Sequence, residues 1–397
     1  MQLDIARIRA ETPGISHSTH LLAAGSALMP QEVVDAVVDY TRLEAKLGGY
    51  EAHSARLSQL EAVYGDVARL INASAHEIAM VENATVAWWA AFYALKLGPG
   101  DVIVTAQAEY ASNYLAMLHR ARRDGVVIRQ IPSDVTGAVD PEALEAMLDE
   151  RVKLIAVTWL PTNGGLINPA AEIGVIAARH NIPYLLDACQ AVGQMPVDVE
   201  ALNCDFLSAT GRKFLRGPRG TGFLFVAEKW LSGPRQLEPA MLDLYGGEWT
   251  ERDSYRLRAD ARRFENWENA YALRAGLGAA VRLANRLGLQ AIQARAWGLA
   301  DYLRNALQEL PGAQLRDAGQ TRSAIVSFSI DGHDPVRLAA RLKAHNIVIG
   351  TSTPASTLLD AQARALPTLL RAAPHYYNTR AEIDLLVATL EELTRAG

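Results

Sequence analysis

A lysine flanked by two apolar runs is the first residue of this sequence that asks for a chemical explanation. Lys213 lies in residues 205–226, DFLSATGRKFLRGPRGTGFLFV, where one apolar run passes through Thr210-Gly211-Arg212-Lys213 and a Gly/Pro-rich turn into another. Burying an ammonium is costly, so such a lysine either snorkels to solvent or is chemically employed. Asp187 closes the run Tyr184-Leu185-Leu186, which puts a carboxylate at the end of a buried strand, and Gln190 follows three positions on. The plain alternative for Asp187 is a helix cap or a loop hydrogen bond. In residues 80–88, MVENATVAW, a strand end runs through Asn83-Ala84-Thr85 into an apolar helix. Free N–H groups and the dipole at a helix N-terminus suit a phosphate, although a simple cap by Asn83 or Thr85 explains the same letters. Arg371, in residues 369–379 (LLRAAPHYYNT), has a guanidinium fork able to hold a carboxylate. A surface salt bridge is its plain alternative.

The elements that must position these residues alternate along the chain. Residues 101–105, 126–131, 153–159 and 182–186 are short apolar runs that read as buried strands. Helical stretches separate them at 85–97, 111–123, 141–149 and 169–180. This pattern predicts an α/β fold with a mostly parallel sheet covered on both faces. Ligands of such sheets bind at the carboxyl ends of the strands, where Asp187 falls. After about residue 265 the texture changes to a long helical stretch over 270–310, a strand over 324–330, a helix over 335–345 and a short strand near Ile347. A last helix follows Asn378, with Thr379 and Glu382 spaced as a capping box. The expected divisions are an N-terminal segment 1–20 packing with the small domain, a large domain 21–264, and a small C-terminal α+β domain 265–397.

Composition excludes several classes. Half of the 397 residues are hydrophobic and 21% are charged, so disorder is excluded for most of the chain. The net charge of −5 gives no positive field for nucleic acid, and an anionic ligand must be held by local donors. Two cysteines, Cys189 and Cys204, supply neither a zinc cage nor a disulfide framework, so no metal is expected. The N-terminus lacks the apolar core of a signal peptide, and the apolar stretch 84–97 is too short to span a bilayer. The expectation is a cytoplasmic protein that binds neither membrane nor nucleic acid.

Taken together, the order and spacing are specific. A strand-end Asp, a Gln three residues on and a Lys 26 positions after the Asp (213 − 187) resemble the large domain of fold-type I pyridoxal-phosphate (PLP) enzymes. More narrowly, the chain resembles the class V aminotransferase family, which includes cysteine desulfurases, kynureninase and isopenicillin N epimerase-like proteins. The resemblance runs from residues 20–30 (HLLAAGSALMP) to 371–384 (RAAPHYYNTRAEID). It implies PLP as cofactor and gives each residue a task. Lys213 is the expected covalent anchor, its proton affinity lowered by partial burial beside Arg212. Asp187 would pair with the protonated ring nitrogen, which makes the ring an electron sink. Gln190 would donate to the phenolic oxygen, beside Thr162, which stands where the family usually has Asn. Ala84, Thr85 and Val86, with Thr210 and Arg212, would hold the phosphate. Tyr110 would stack on the ring. Arg371 would bind the substrate carboxylate, with Ser26 and Ala27 in the loop lining the mouth. The family also implies a homodimer with a shared site, to which residues 263–269 (RFENWEN) would contribute; a domain hinge is the other reading of that segment.

Departures from the family narrow the chemistry. Cysteine desulfurases carry a mobile cysteine in the loop that here reads IGTSTPA (349–355), with Thr353 at the nearest position. Threonine cannot accept a persulfide sulfur. Cys189 reads as a small buried filler and Cys204 as core. Where Tyr110 and Arg212 stand, desulfurases have histidines. These features place the chain nearer the isopenicillin N epimerase-like and cysteine C–S lyase branch. The expected activity is a PLP-dependent lyase on a cysteine-derived amino acid or S-conjugate, by Cα deprotonation and β-elimination. The alternatives are an epimerase or aminotransferase and, ranked lower, a non-catalytic PLP-binding protein. Epimerisation wants a second acid–base group. His53, Tyr245 and His375 are candidates, each with a structural role as its ordinary reading. Tryptophans 88, 89, 249 and 267 could line an aromatic pocket, with core the expected place of at least the first two. Residues 241–263, with five arginines among acids, read as a solvated helix face.

Overall fold

The computed structural model describes residues 3–395. A seven-stranded sheet forms the centre of the large domain. Its order is Ile78–Val81, Gly222–Val226, Phe206–Thr210, Tyr184–Asp187, Val152–Thr158, Val102–Thr105 and Val127–Gln130. Only Gly222–Val226 runs against its neighbours. The inner strands are continuous apolar runs because both faces are covered. Along Tyr184–Asp187, Leu185 joins the core beneath Trp88, Phe92 and Phe206, while Tyr184 and Leu186 face the opposite core. That alternation is the period of two of a strand. Val127–Gln130, read from sequence as buried, is the edge strand and is half to fully exposed. Its Arg129 and Gln130 are the signal that apolar content alone obscured.

The helix Ala84–Ala94 starts directly after the strand Ile78–Val81. Its N-terminus is pressed against the sheet by a close approach at Gly222. A Cβ there would lie 2.6 Å from the Ala209 carbonyl oxygen and 2.8 Å from the Asn83 carbonyl carbon. Only glycine lets the strand pass so near the start of this helix.

The small domain has a four-stranded antiparallel sheet ordered Ala313–Leu315, Val326–Ile330, Leu369–Ala372, Gly350–Ser352. The N-terminal segment joins it. Thr19–His20 pairs in parallel with Ile347–Val348, and Arg9 donates to the Tyr377 carbonyl and to Glu382. The last helix, Arg380–Arg395, begins at a capping box: Thr379 N–H donates to Glu382 and Glu382 N–H to the Thr379 hydroxyl. The helical stretch expected over 270–310 is two helices, Tyr271–Leu287 and Leu289–Gln308, broken at Gly288 with φ +83°. The amphipathic pattern continues through the break, so only the glycine marked it. Residues 241–263 contain a β-hairpin, Gly247–Glu251 with Ser254–Leu257, instead of a helix face. Trp249, Thr250 and Tyr255 favour strand, and Arg252-Asp253 makes the turn.

Candidate active site

Lys213, Asp187, Gln190, Thr85 and Tyr110 come together around one cavity of about 470 Å³ at the carboxyl ends of the parallel strands. That volume lies within the usual range of small-molecule sites. Ala84, Val86, Thr162, Thr210 and Arg212 line it as well.

The floor is acidic. Asp187 is buried at the end of its strand. Its Oδ1 accepts the Cys189 N–H at 2.9 Å and its Oδ2 accepts the Asn113 amide at 2.9 Å. Burial raises its proton affinity; those two donors and the nearby Lys213 charge oppose the rise. Behind it sits a second carboxylate, Glu109, which is 3% exposed. Burial pushes Glu109 up to about 7 against the pull of its hydrogen bonds, and the Asp187 charge pushes the same way. No salt bridge reaches either acid among the described residues.

The wall formed by the helix Ala84–Ala94 offers N–H groups. The first turn of any helix leaves its amides without intrahelical partners. Here Asn83 Oδ1 caps the Val86 N–H at 3.0 Å, leaving the amides of Ala84 and Thr85, and the Thr85 hydroxyl, for an anion. Across the cavity the Thr210 hydroxyl donates to the Thr221 carbonyl at 3.2 Å.

The mouth is basic. Arg371 is drawn to Thr162, donating to its carbonyl at 3.1 Å and to its hydroxyl. Its Nε is buried without a partner. Burial, and then the charge of Arg212, hold Arg371 down at about 10. Arg212 donates to the Gly25 carbonyl, and its own carbonyl accepts the Ala27 N–H at 2.9 Å. Gln190 donates to the Ala24 carbonyl at 3.2 Å and leans on Thr162, while its Oε1 is buried with no partner. Arg212 is thus tied to the 24–27 loop, which also receives Gln190, and it lines the same cavity as Thr85 and Thr210. Ser26 is fixed by its own N–H, which donates to the Leu22 carbonyl at 3.0 Å.

Lys213 is half-buried and is held by the turn that follows it. Arg216, in the left-handed region at φ +62°, donates its N–H to the Lys213 carbonyl at 3.0 Å. Its buried guanidinium grips the Leu28 carbonyl, the Tyr376 hydroxyl and Thr12, stacked on Tyr376 and Tyr377. Gly193, at φ +91°, packs against this turn so tightly that a Cβ would sit 2.3 Å from the Leu215 nitrogen. Cys189, read from sequence as a buried filler, is instead half-buried in the wall of the cavity that Lys213 also lines. Cys204 is in the core.

Other readings fall away from the cavity. His375 is fully buried and its Nε2–H donates to the Phe214 carbonyl at 2.7 Å; burial pushes it down to about 3, so it stays neutral. His53 and Tyr245 line a separate cavity with Trp267. In the segment 263–269, Glu265 accepts from Tyr64, the Met80 N–H and Arg274, which ties the segment to the helices Gly49–Ile71 and Tyr271–Leu287 and to the strand Ile78–Val81. Trp88 is core as expected, but Trp89 is 44% exposed and lines the cofactor-sized cavity. The 349–355 loop is anchored at Ser352, whose hydroxyl donates to Asn163; Asn163 in turn donates to Thr357. Thr353 is exposed.

The sequence reading gave no task to Glu109 or Asn113, while Asn83 is the helix cap that was one of its two readings. Glu109 and Asn113 flank Tyr110 at the start of the helix Ala111–Asp124 and are four residues apart, a spacing that lets them meet. That spacing was the available signal.

The residues fit PLP on observations independent of any family. A buried carboxylate without an ion-pair partner faces a cavity whose other walls hold free helix N–H groups, an unpartnered Gln190 oxygen and a half-buried lysine. Comparison with known proteins agrees. Residues 19–386 match the family described as "Aminotransferase class-V". The chain is 32% identical over 398 residues to a "Probable cysteine desulfurase" of Methanothermobacter thermautotrophicus, covering 98% of each. It superposes on the apo structure of a cysteine desulfurase from Thermococcus onnurineus NA1 with a TM-score of 0.91, at 26% identity, over 100% of this chain and 99% of that one. The fold is also that of the cystine C–S lyase C-DES in complex with its product cysteine persulfide, with a TM-score of 0.86 at 23% identity over 96% and 99% of the two chains. The chain belongs to the class V aminotransferase family and is a PLP-dependent enzyme of fold-type I.

Proposed function

We propose that this enzyme is a C–S lyase that releases the sulfur group of cysteine, or of a cysteine-derived amino acid, without passing it to a loop cysteine. The observation that carries this reading is the 349–355 loop, which ends in an exposed Thr353 and holds no thiol. The relatives named cysteine desulfurase favour a cysteine-type substrate.

When bound, PLP supplies an electron sink for the electron pair left at the substrate Cα. The chain supplies the rest. The amides of Ala84 and Thr85, with the Thr85 hydroxyl, would hold the phosphate against the helix N-terminus. Asp187 would face the ring nitrogen, Tyr110 one ring face, and Gln190 and Thr162 the phenolic oxygen. Lys213 would anchor the cofactor, then accept the Cα proton once substrate has displaced it. Arg371 would orient the carboxylate by its fork, with Arg212, Ser26 and Ala27 shaping the mouth. Breaking the Cα–H bond leaves its electrons toward Cβ, the Cβ–S bond breaks with its pair going to sulfur, and hydrolysis yields pyruvate and ammonia.

A second reading has one observation behind it. Cys189 lies beside Lys213 in the cavity. A sulfur accepted there would leave alanine, not pyruvate. The homodimer belongs to the same proposal. Met241, Leu244 and Trp249 are 84%, 69% and 80% exposed, and Tyr50 and Trp267 line an adjoining cavity. Large apolar side chains exposed within one short segment suit a subunit contact, and light scattering of the holoenzyme should give twice the chain mass.

Proton NMR in deuterium oxide with cysteine, cystine and S-conjugates tests the chemistry. Pyruvate supports the lyase. Deuterium at Cα with inverted configuration and no pyruvate would move the assignment to an epimerase, and accumulated pyridoxamine phosphate to an aminotransferase.

A further inference from the structure

Glu109 takes no part in the chemistry above, yet it is the most heavily hydrogen-bonded side chain next to it. Its two oxygens accept from the Thr105 hydroxyl at 3.2 Å, the Thr158 N–H at 2.9 Å, the Thr158 hydroxyl, the Tyr110 N–H at 2.9 Å and the Asn113 amide at 2.9 Å. These donors come from two strand ends and the start of the helix Ala111–Asp124. The Asn113 nitrogen then donates to Asp187 Oδ2 at 2.9 Å, so one amide bridges two buried carboxylates. Thr158 is the register partner of Asp187 on the neighbouring strand. Two of the groups that border Asp187, Asn113 and Thr158, are therefore held by Glu109, while the Cys189 N–H holds its other oxygen.

We propose that Glu109, acting through Asn113, is a positioning residue for Asp187: it fixes the carboxylate that faces the PLP ring nitrogen and strengthens the hold of that pair on its proton. The inference rests on the placement of the ring nitrogen against Asp187. A strand-end staple alone does not need a carboxylate. A buried one without a cation is costly, and neutral donors and acceptors would tie the same elements. What a carboxylate adds is charge. The charged and titratable groups around it are the Asp187 carboxylate, joined to it by the neutral Asn113, and the Tyr184 phenol; Lys213 and the Cys189 thiol line the cavity with Asp187. Two carboxylates joined by one amide are close enough for their proton equilibria to couple. A cationic ring relieves the repulsion between them, so Glu109 favours the protonated ring.

The test reads the NMR shift of the isotope-labelled ring nitrogen in the holoenzyme as pH is raised. Glu109→Gln is expected to lower the pH at which the ring nitrogen loses its proton by about one unit. Glu109→Asp should recover part of the shift. If Glu109→Gln does not fold, Asn113→Ala reads the link from the other side: with the bridge gone, Asp187 is no longer held by Glu109, and the pH should fall as well. An unmoved titration in a folded Glu109→Gln or Asn113→Ala holoenzyme overturns the inference. Asp187→Asn separates the levels. If it too leaves the ring nitrogen unchanged, the placement of the ring against Asp187 fails, and the inference fails with it.

Discussion

The floor and the mouth of the cavity carry opposite charges, and neither end balances its own. The floor has Asp187 and Glu109, buried and bridged by Asn113, with no salt bridge to either among the described residues. The mouth has Arg371 and Arg212, whose hydrogen bonds go to carbonyl and hydroxyl oxygens of Thr162 and Gly25. Elsewhere some buried charges are paired, Arg274 with Glu265 at 2.8 Å and Arg304 with Asp317 at 2.6 Å, while Arg216 and Arg263 are satisfied by carbonyl and hydroxyl oxygens in packed surroundings. What sets the cavity apart is that unpaired groups of opposite sign border one open volume, as in a site that its ligands complete. The polarity fits a cationic ring at the floor and a carboxylate at the mouth.

The comparison breaks most severely between the two ends, at Lys213. Lys213→Ala should cut turnover about a thousandfold or more, measured as product release by the holoenzyme, because the proton carrier at Cα is gone. Next comes the mouth. Arg371→Ala should raise KM about a hundredfold, and Arg371→Lys should recover little, since an ammonium cannot reproduce the fork. A comparable KM rise from Arg212→Ala alone, with Arg371→Ala near wild type, would reverse their roles.

The floor should be felt in the pH dependence of the apoenzyme. Glu109 holds its proton up to about 7 in the folded chain, above the ordinary 4.5. A folded-state value raised in this way favours the fold below about pH 4.5, and that advantage is lost as pH rises through about 7. The loss amounts to about 3 kcal/mol. Urea melts of the apoenzyme between about pH 5 and about pH 8 should show it, and Glu109→Gln should flatten that slope. The smallest effect is expected at Cys189. Cys189→Ser should leave turnover within about tenfold of wild type; loss of activity would favour the second reading, with Cys189 as sulfur acceptor.

Much of the mouth and the cofactor anchor was legible in the sequence, for a local reason. Asp187 ends one strand, Gln190 follows in the loop and Lys213 lies in the loop after the neighbouring strand Phe206–Thr210, so that chain order alone brings them together. The capping box at Thr379 and Glu382 was legible for the same reason. Glu109 was not. A glutamate before a helix reads as surface until the sheet is closed around it, and only tertiary packing puts Thr105, Thr158 and Asp187 on its other sides. Cys189 was misjudged on the same ground: residue type predicts burial, but not which cavity the side chain borders. The side chain of Arg212 is long enough to serve either end, and its direction depends on the 24–27 loop, nearly two hundred residues away in sequence.

The most direct test of the lyase assignment is the product formed from L-cysteine by the purified holoenzyme under single-turnover conditions. Equimolar pyruvate, ammonia and sulfide, with Cys189 remaining a free thiol by mass spectrometry, is the result expected. Alanine in place of pyruvate, with one extra sulfur on Cys189, would contradict it.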